Sequence, residues 1–357
     1  MKLHLVGGFL GSGKTTAITQ ACKRFLRTGQ KVGVITNDQG KYLVDTAFFR
    51  LEDVPAVEVA GGCFCCHYVD LDQKLSELIM RSVRPDVIFA EAVGSCADLV
   101  ATVLKPLAQF RAVELTPASL SVFTDARLLL HFLRKDAMPF SDEVVYIFEK
   151  QMEEAGLVVI NKIDLLSLGA IEEVQHLFTQ TYPGKKVITQ NSLVEDGVQA
   201  WLDWLDSQPE SWIGAALDID YLRYGEGEAK LAWYDAQAHL VVPDGDASVA
   251  VKTLIEMVLE ELKACNARVG HLKWLLEGES AGVKLSFPAL PDPAWEQNLP
   301  TRIGRQVRML INARVEMSAD ELRALFWRAF ERSGWAVQVE EEAAFHPGQP
   351  QPTHRLV

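Results

Sequence analysis

Near the start of the chain, Gly8-Phe-Leu-Gly-Ser-Gly13-Lys14-Thr15 fits the pattern G-x-x-x-x-G-K-[ST] at every position. The glycines allow a backbone curl that turns several N–H groups inward, and the helix that follows adds its positive end, so the loop suits phosphate. Gly8, Gly11, Ser12, Gly13, Lys14, Thr15 and Thr16 are therefore candidate nucleotide contacts. In this pattern Lys14 serves the β- and γ-phosphates, and the Thr15 hydroxyl serves Mg²⁺.

Asn161-Lys162-Ile-Asp164 follows the apolar run Leu157–Ile160. A carboxylate at Asp164 can accept from both the ring N–H and the exocyclic amine of guanine, whereas adenine has no such donor pair. Lys162 is expected to lie across the base or brace the phosphate loop. Gln190-Asn-Ser192, after the next apolar run, is a weaker candidate for the base. Asp86-Val-Ile-Phe-Ala-Glu91 reads as a buried strand ending in an acid, with Gly94 three residues on. Glu91 can hold Mg²⁺, and the Gly94 N–H can meet the γ-phosphate. Thr36-Asn-Asp38-Gln-Gly40 is a second candidate switch. Lys14, Glu91 and Asp38 are expected to carry catalysis, and no residue stands out as the one that orients the attacking water.

Three of the six cysteines fall within four residues, in Gly61-Gly-Cys63-Phe-Cys65-Cys66. In a reducing compartment such a cluster indicates metal or redox chemistry rather than a disulfide framework. Three thiolates on one turn suit Zn²⁺ or Co²⁺ and leave a tetrahedral ion one ligand short. His67, a switch carboxylate, water or a client protein could fill that position. Cys63 and Cys66 also have the C-x-x-C spacing of dithiol redox sites, which stands as an alternative. Cys22, Cys96 and Cys265 read as small buried hydrophobes.

Together the Gly8–Thr16 loop, the cysteine triplet, Glu91-x-x-Gly94, and Gln151 through Asn161-Lys-Ile-Asp164 resemble the CobW-type metallochaperone GTPases, relatives of the nickel-insertion GTPases for urease and hydrogenase. The resemblance implies GTP hydrolysis with Mg²⁺, Zn²⁺ or Co²⁺ held at Cys63, Cys65 and Cys66, and delivery to a client metalloenzyme or other metal-acceptor protein. Two departures stand out: the family's Asn-Glu is Asn37-Asp38 here, and the C-terminal part lacks a histidine-rich run. The rival readings are a GTP-dependent signalling switch without metal transfer, and a P-loop small-molecule kinase, against which Asn161-Lys-Ile-Asp164 argues.

These residues need a scaffold. Apolar runs at Leu3–Val6, Val32–Thr36, Val57–Ala60, Val87–Ala90, Leu120–Thr124, Leu157–Ile160 and Lys186–Thr189 alternate with helical patterns. That alternation predicts a doubly wound α/β domain, a P-loop NTPase with a mostly parallel sheet, over residues 1–205. Residues 206–228 read as a connection, 229–345 as a smaller α+β domain of ferredoxin-like order β-α-β-β-α-β, and 346–357 as an extended tail. Its strands are expected at Lys230–Val241, Val283–Phe287, Val307–Ile311 and Trp335–Val339, with Ser318 and Glu321 opening a helix as a capping box. The chain has 357 residues, 48% apolar and 23% charged, and a net charge of −13. That charge argues against nucleic acid as a partner. No apolar run is long enough to span a membrane, and the start reads as a strand rather than a signal peptide, so a cytoplasmic protein is expected, with a homodimer allowed for.

Overall fold

A computed structural model describes residues 1–40, 44–80, 84–111, 116–207, 214–279, 282–290, 292 and 294–357. By compactness the chain divides into two units. The first comprises Met1–Gln39, Glu52–Gly227 and Gln349–Val357, and the second Gly40–Leu51 and Glu228–Gly348.

All seven apolar runs of the first unit become parallel strands of one sheet. They are β1 (Lys2–Gly8), β2 (Val32–Asp38), β3 (Ala56–Ala60), β4 (Val87–Glu91), β5 (Thr116–Asp125), β6 (Leu157–Asn161) and β7 (Lys186–Gln190). Their order across the sheet is β3-β2-β4-β1-β5-β6-β7. Every residue of β4 and of β6 is buried, as strands covered on both faces must be. Helices alternate with these strands: α1 (Lys14–Arg27), α2 (Val44–Leu51), α3 (Tyr68–Ile79), α4 (Lys105–Phe110), α5 (Ala126–Arg134), α6 (Asp142–Glu154), α7 (Leu168–Thr181), α8 (Gln199–Ser207) and α9 (Tyr221–Lys230). The expected connection at 206–228 thus contains most of α9, and its residues 208–213 lie outside the described residues.

The second unit holds β8 (Leu231–Val241), α10 (Ser248–Ala264), β9 (Arg268–Gly278), β10 (Gly282–Pro288), β11 (Gln306–Glu316), α11 (Ala319–Arg332) and β12 (Val337–Phe345). The five strands form an antiparallel sheet in the order β10-β9-β11-β8-β12. Without β10, the remaining strands keep the ferredoxin-like order, so the expected unit is present with one added edge strand. The sequence reading used β10 as a core strand and overlooked β9. One face of β9 contributes Leu272, Trp274 and Leu276 to the main core. On its other face Leu275 joins Leu310 and Val44, with Ala47 and Phe48 of α2 packed against them. Burial on both faces erases the alternation by which a strand is recognised. As predicted, α11 opens with a capping box between Ser318 and Glu321.

The segment Gly40–Leu51 is held in the second unit by polar contacts as well. The Val44 N–H donates to Asn312 Oδ1 at 3.0 Å. Asp45 pairs with Lys273 at 2.5 Å and with Lys284 at 3.6 Å. Burial alone would raise the Asp45 carboxyl, but these two ammonium groups override it and hold the group well below its ordinary range.

Candidate functional site

Because the seven strands are parallel, the loops after β1, β2, β3, β4, β6 and β7 all leave from one edge of the sheet, where open α/β sheets place ligands. The glycine-rich loop occupies the turn from β1 into α1. Gly8 has φ +124°, and a Cβ there would lie 2.1 Å from the Phe123 carbonyl oxygen. Gly13, at φ +91°, caps α1, and a Cβ on it would meet Asn161 Nδ2 at 2.3 Å. Larger residues would be strained at both positions. The Lys14 ammonium donates to the Gly8 carbonyl at 2.7 Å and to that of Phe9 at 3.4 Å. Thr15 Oγ1 donates to Glu91 Oε1 at 2.9 Å, joining α1 to the end of β4. Thr16 lies half-buried beside it in the first turn of α1. The buried Ser12 hydroxyl has no hydrogen-bond partner, as expected of a loop shaped for a polar ligand.

Asn161 braces this loop. Its Nδ2 donates to the Ser12 carbonyl at 2.8 Å, and its Oδ1 accepts from the Ser192 hydroxyl at 2.8 Å. The Gln190–Ser192 segment therefore acts on the site through Asn161. Lys162, in the left-handed region at φ +64°, pairs with Asp125 at 3.1 Å. Burial lowers the Lys162 ammonium, and Asp125 partly offsets that. Asp164 stands exposed on a short 3-10 turn, Ile163–Leu165, where its carboxylate is open to a base.

Gly94 packs under the glycine-rich loop: a Cβ there would come within 2.6 Å of Leu10 Cδ2 and 3.1 Å of the Leu10 backbone. Gln151 on α6 holds the Gly94 loop by donating to the carbonyls of Gly94 at 3.0 Å and Cys96 at 2.8 Å. A turn further along α6, the buried Glu154 carboxyl accepts from the Val100 N–H. Burial pushes Glu154 up to about 8, against the backbone donors around it and with the Asp98 carboxylate adding to the rise. A carboxyl raised in the folded state stabilises the fold fully below its unfolded value, near 4.5, and that contribution is lost as pH rises through about 8. The melting temperature should therefore fall between pH 5 and pH 8.5, and Glu154→Gln should flatten that part of the profile. An unchanged profile in the variant would show the carboxyl to be ionised throughout.

The cysteine turn joins β3 to α3 and hangs from Asn37, the last fully buried residue of β2. Asn37 Nδ2 donates to the carbonyls of Val59 at 3.1 Å and Gly62 at 2.7 Å, and Oδ1 accepts from the Phe64 N–H at 2.8 Å. The sulfurs of Cys63 and Cys65 lie 2.9 Å apart and those of Cys65 and Cys66 3.8 Å apart, all three within 4.8 Å of one another. A tetrahedral ion with Zn–S bonds of about 2.3 Å requires sulfurs roughly 3.8 Å apart, so small rotations of the side chains suffice. Hydrogen bonds from Cys65 and then Cys66 hold the Cys63 thiol well below its ordinary value, while contact with Cys63 pushes Cys65 up and raises Cys66 to about 11. Among the described residues, no carboxylate or histidine joins this group. The His67 ring turns away over Gly62 to pair with Asp70 at 2.9 Å, and Asp38 lies half-buried at the end of β2.

The final residues cross the same turn. The Gln351 N–H donates to Cys66 Sγ at 3.2 Å, the Thr353 N–H to the Cys65 carbonyl at 2.8 Å, and the Thr353 hydroxyl to the Cys66 carbonyl at 3.0 Å. His354 packs between Tyr68 and Phe110, with ring centroids 4.9 and 5.1 Å away. Arg355 anchors the segment on the buried Asp98 carboxylate at 2.7 Å.

A model of the nucleotide-binding domain described as CobW/HypB/UreG matches residues 2–189, more than half of the chain. The chain belongs to the CobW/HypB/UreG family. Within it, similarity extends to the zinc chaperone CobW of a Sinorhizobium species, 27% identical over 191 residues, which are 48% of this chain and 53% of the relative. The zinc chaperone YeiR of Escherichia coli strain K12 is 29% identical over 203 residues, 55% of this chain and 57% of the relative. The chain thus spans little more than half the length of these curated relatives. Among solved structures, the Zn(II)-bound YjiA GTPase of E. coli aligns over 92% of this chain and 98% of its own, at 13% identity and a TM-score of 0.35. The matched residues 2–189 include the glycine-rich loop, the cysteine turn and Asn161–Asp164, and they end just before Gln190.

The roles of several residues of this edge were not legible in the sequence. Asn37 was read only as part of the candidate switch after Val32–Thr36, not as the residue that holds the cysteine turn, although a buried amide requires partners. Asp125 and the 351–355 segment carried no signal. Of the cysteines read as small buried hydrophobes, Cys22 and Cys96 are buried, with burial pushing the Cys22 thiol up and the Cys96 side chain acting on Cys63, whereas Cys265 is exposed.

Proposed function

We propose that this protein is a GTP-hydrolysing metallochaperone that carries Zn²⁺ or Co²⁺ on Cys63, Cys65 and Cys66 and passes it to a client protein in the cytoplasm. The observation that carries this reading is the gathering of three sulfurs on a turn at the same sheet edge as the nucleotide loop. That turn follows β3, which lies three strands from β1, or about 14 Å at the usual strand spacing of ~4.8 Å. Among the described residues no helix is long and apolar enough to cross a membrane.

In this reading the N–H groups of Gly11 to Thr16 cradle the phosphates, and Lys14 leaves the Gly8 and Phe9 carbonyls for the β- and γ-phosphate oxygens. Asp164 accepts from the guanine edge, and Asn161 keeps the phosphate loop in register with the base loop. The Thr15 hydroxyl and Glu91 carboxylate, already in contact, form the pair of hard oxygen donors that Mg²⁺ prefers. Bound there, Mg²⁺ would neutralise charge on the β- and γ-phosphates. In this reading the Gly94 N–H meets the γ-phosphate, and Gln151, which donates to the Gly94 carbonyl, ties that loop to α6.

Nucleotide and cargo metal should therefore influence one another, and linkage makes the effect reciprocal. We expect the Zn²⁺ affinity of the reduced protein to differ about 5- to 150-fold between its GDP form and its form with Mg²⁺ and a non-hydrolysable GTP analogue. Competition titration against a chromophoric chelator reads this directly. Equal affinities in the two forms would remove the coupling from the proposal.

A further inference from the structure

Three cysteines leave a tetrahedral ion with one position to fill. Cys96 lies two residues beyond Gly94 and is fully buried. A buried cysteine is ordinarily a small apolar filler. Here, however, the Cys96 side chain is near enough to act on the thiols of both Cys63 and Cys65, while standing outside the three sulfurs that lie within 4.8 Å of one another. Its backbone is pinned on both sides: the N–H donates to the Val93 carbonyl at 3.0 Å, and the carbonyl accepts from Gln151 Nε2 at 2.8 Å. The side chain is thus delivered to the cluster by a loop whose position is fixed independently of any metal.

We propose that Cys96 supplies the fourth sulfur of the metal site, so that the cargo ion is held by the turn after β3 and by the loop after β4 together. This rests on the metallochaperone reading above and completes its site. Four soft thiolates favour Zn²⁺ and Cu⁺ over hard, oxygen-seeking ions such as Mg²⁺. The arrangement also gives the metal a direct hold on the loop that carries Gly94. A γ-phosphate drawing on the Gly94 N–H and an ion drawing on the Cys96 sulfur pull on the same short segment. Movement of that segment changes the site from four sulfurs to three without disturbing the Cys63–Cys66 turn, and a three-sulfur ion is open to an incoming client ligand.

The test is X-ray absorption at the zinc edge on the full chain, reduced, with one equivalent of Zn²⁺ alone. The expected first shell is about four sulfurs near 2.3 Å, falling to about three plus a lighter atom in Cys96→Ser. Zn²⁺ affinity should fall at least ~10-fold in that variant, and the dependence of affinity on nucleotide should shrink with it. Cys265→Ser, at an exposed position, should match the unsubstituted protein in both measurements. Three sulfurs in the unsubstituted protein, or identical shells with and without Cys96, would overturn the fourth ligand and leave the three-cysteine site standing. A shell without sulfur would instead overturn the proposed function. If Cys96→Ser fails to fold, the count in the unsubstituted protein decides the question alone.

Discussion

Replacing Lys14 by alanine should lower kcat/KM for GTP by about 10²- to 10³-fold, the usual cost of removing one preorganised charge-stabilising donor from a buried site. Lys14 is only 7% exposed and its ammonium is held by the Gly8 and Phe9 carbonyls, a position from which it can transfer to phosphate oxygens with little reordering. Arginine should not restore activity, because its planar fork is a poor substitute for a compact ammonium in a glycine-lined loop. The substitution also leaves two carbonyls without this donor, so some stability is lost, on the order of 1–3 kcal/mol if they stay dry. Zn²⁺ binding without nucleotide separates the two effects: it should survive in a folded variant while GTP turnover collapses. Turnover equal to that of the unsubstituted protein would remove Lys14 from the reaction.

The second large effect belongs to Asn37, which touches neither ligand in our reading. Its side chain makes three hydrogen bonds to the backbone of β3 and the cysteine turn. Outer partners that orient metal ligands typically contribute 10- to 100-fold in affinity, and we expect a loss of about that size for Zn²⁺ in Asn37→Ala. Asn37→Asp keeps the acceptor for the Phe64 N–H but loses the donor to Val59 and Gly62. It should fall between the two and add an unwelcome buried charge. Both variants should retain GTP binding, since Asn37 has no contact with the glycine-rich loop among its hydrogen bonds. Chelator competition and nucleotide titration on the same preparations would separate these outcomes. Unaltered Zn²⁺ affinity in Asn37→Ala would mean the turn holds its shape without β2.

The nucleotide edge was legible because backbone chemistry dictates its residue types: a loop that must pack Gly8 against Phe123 and Gly13 against Asn161 can be written in few ways. The seven strands were equally plain as short apolar runs, with β4 and β6 buried throughout and β3 and β7, at the two margins of the sheet, only partly covered. β9 was hidden by burial on both faces, because it lies in an antiparallel sheet whose outer face is normally wet. Its cover, α2, comes from residues more than 200 positions earlier, and no local pattern announces such a partner. Cys96 is buried as read, but its neighbours were hidden for a related reason. A single cysteine in an apolar stretch looks the same whether it faces a leucine or another thiol, and only the folding of β3 and β4 into one sheet brings it to the triplet.

The strap formed by residues 351–355 has a practical corollary. Pro350 and Pro352 carry no N–H, so Gln351 offers the one amide of that tripeptide, and it is spent on Cys66 Sγ. Anything genetically fused after Val357 emerges within a few residues of the sulfurs. A polyhistidine handle there would set spare imidazoles beside the cargo and could report a stoichiometry that is not the protein's own. Handles ahead of Met1, where β1 begins at the opposite margin of the sheet, avoid the conflict and are the right choice for metal analysis.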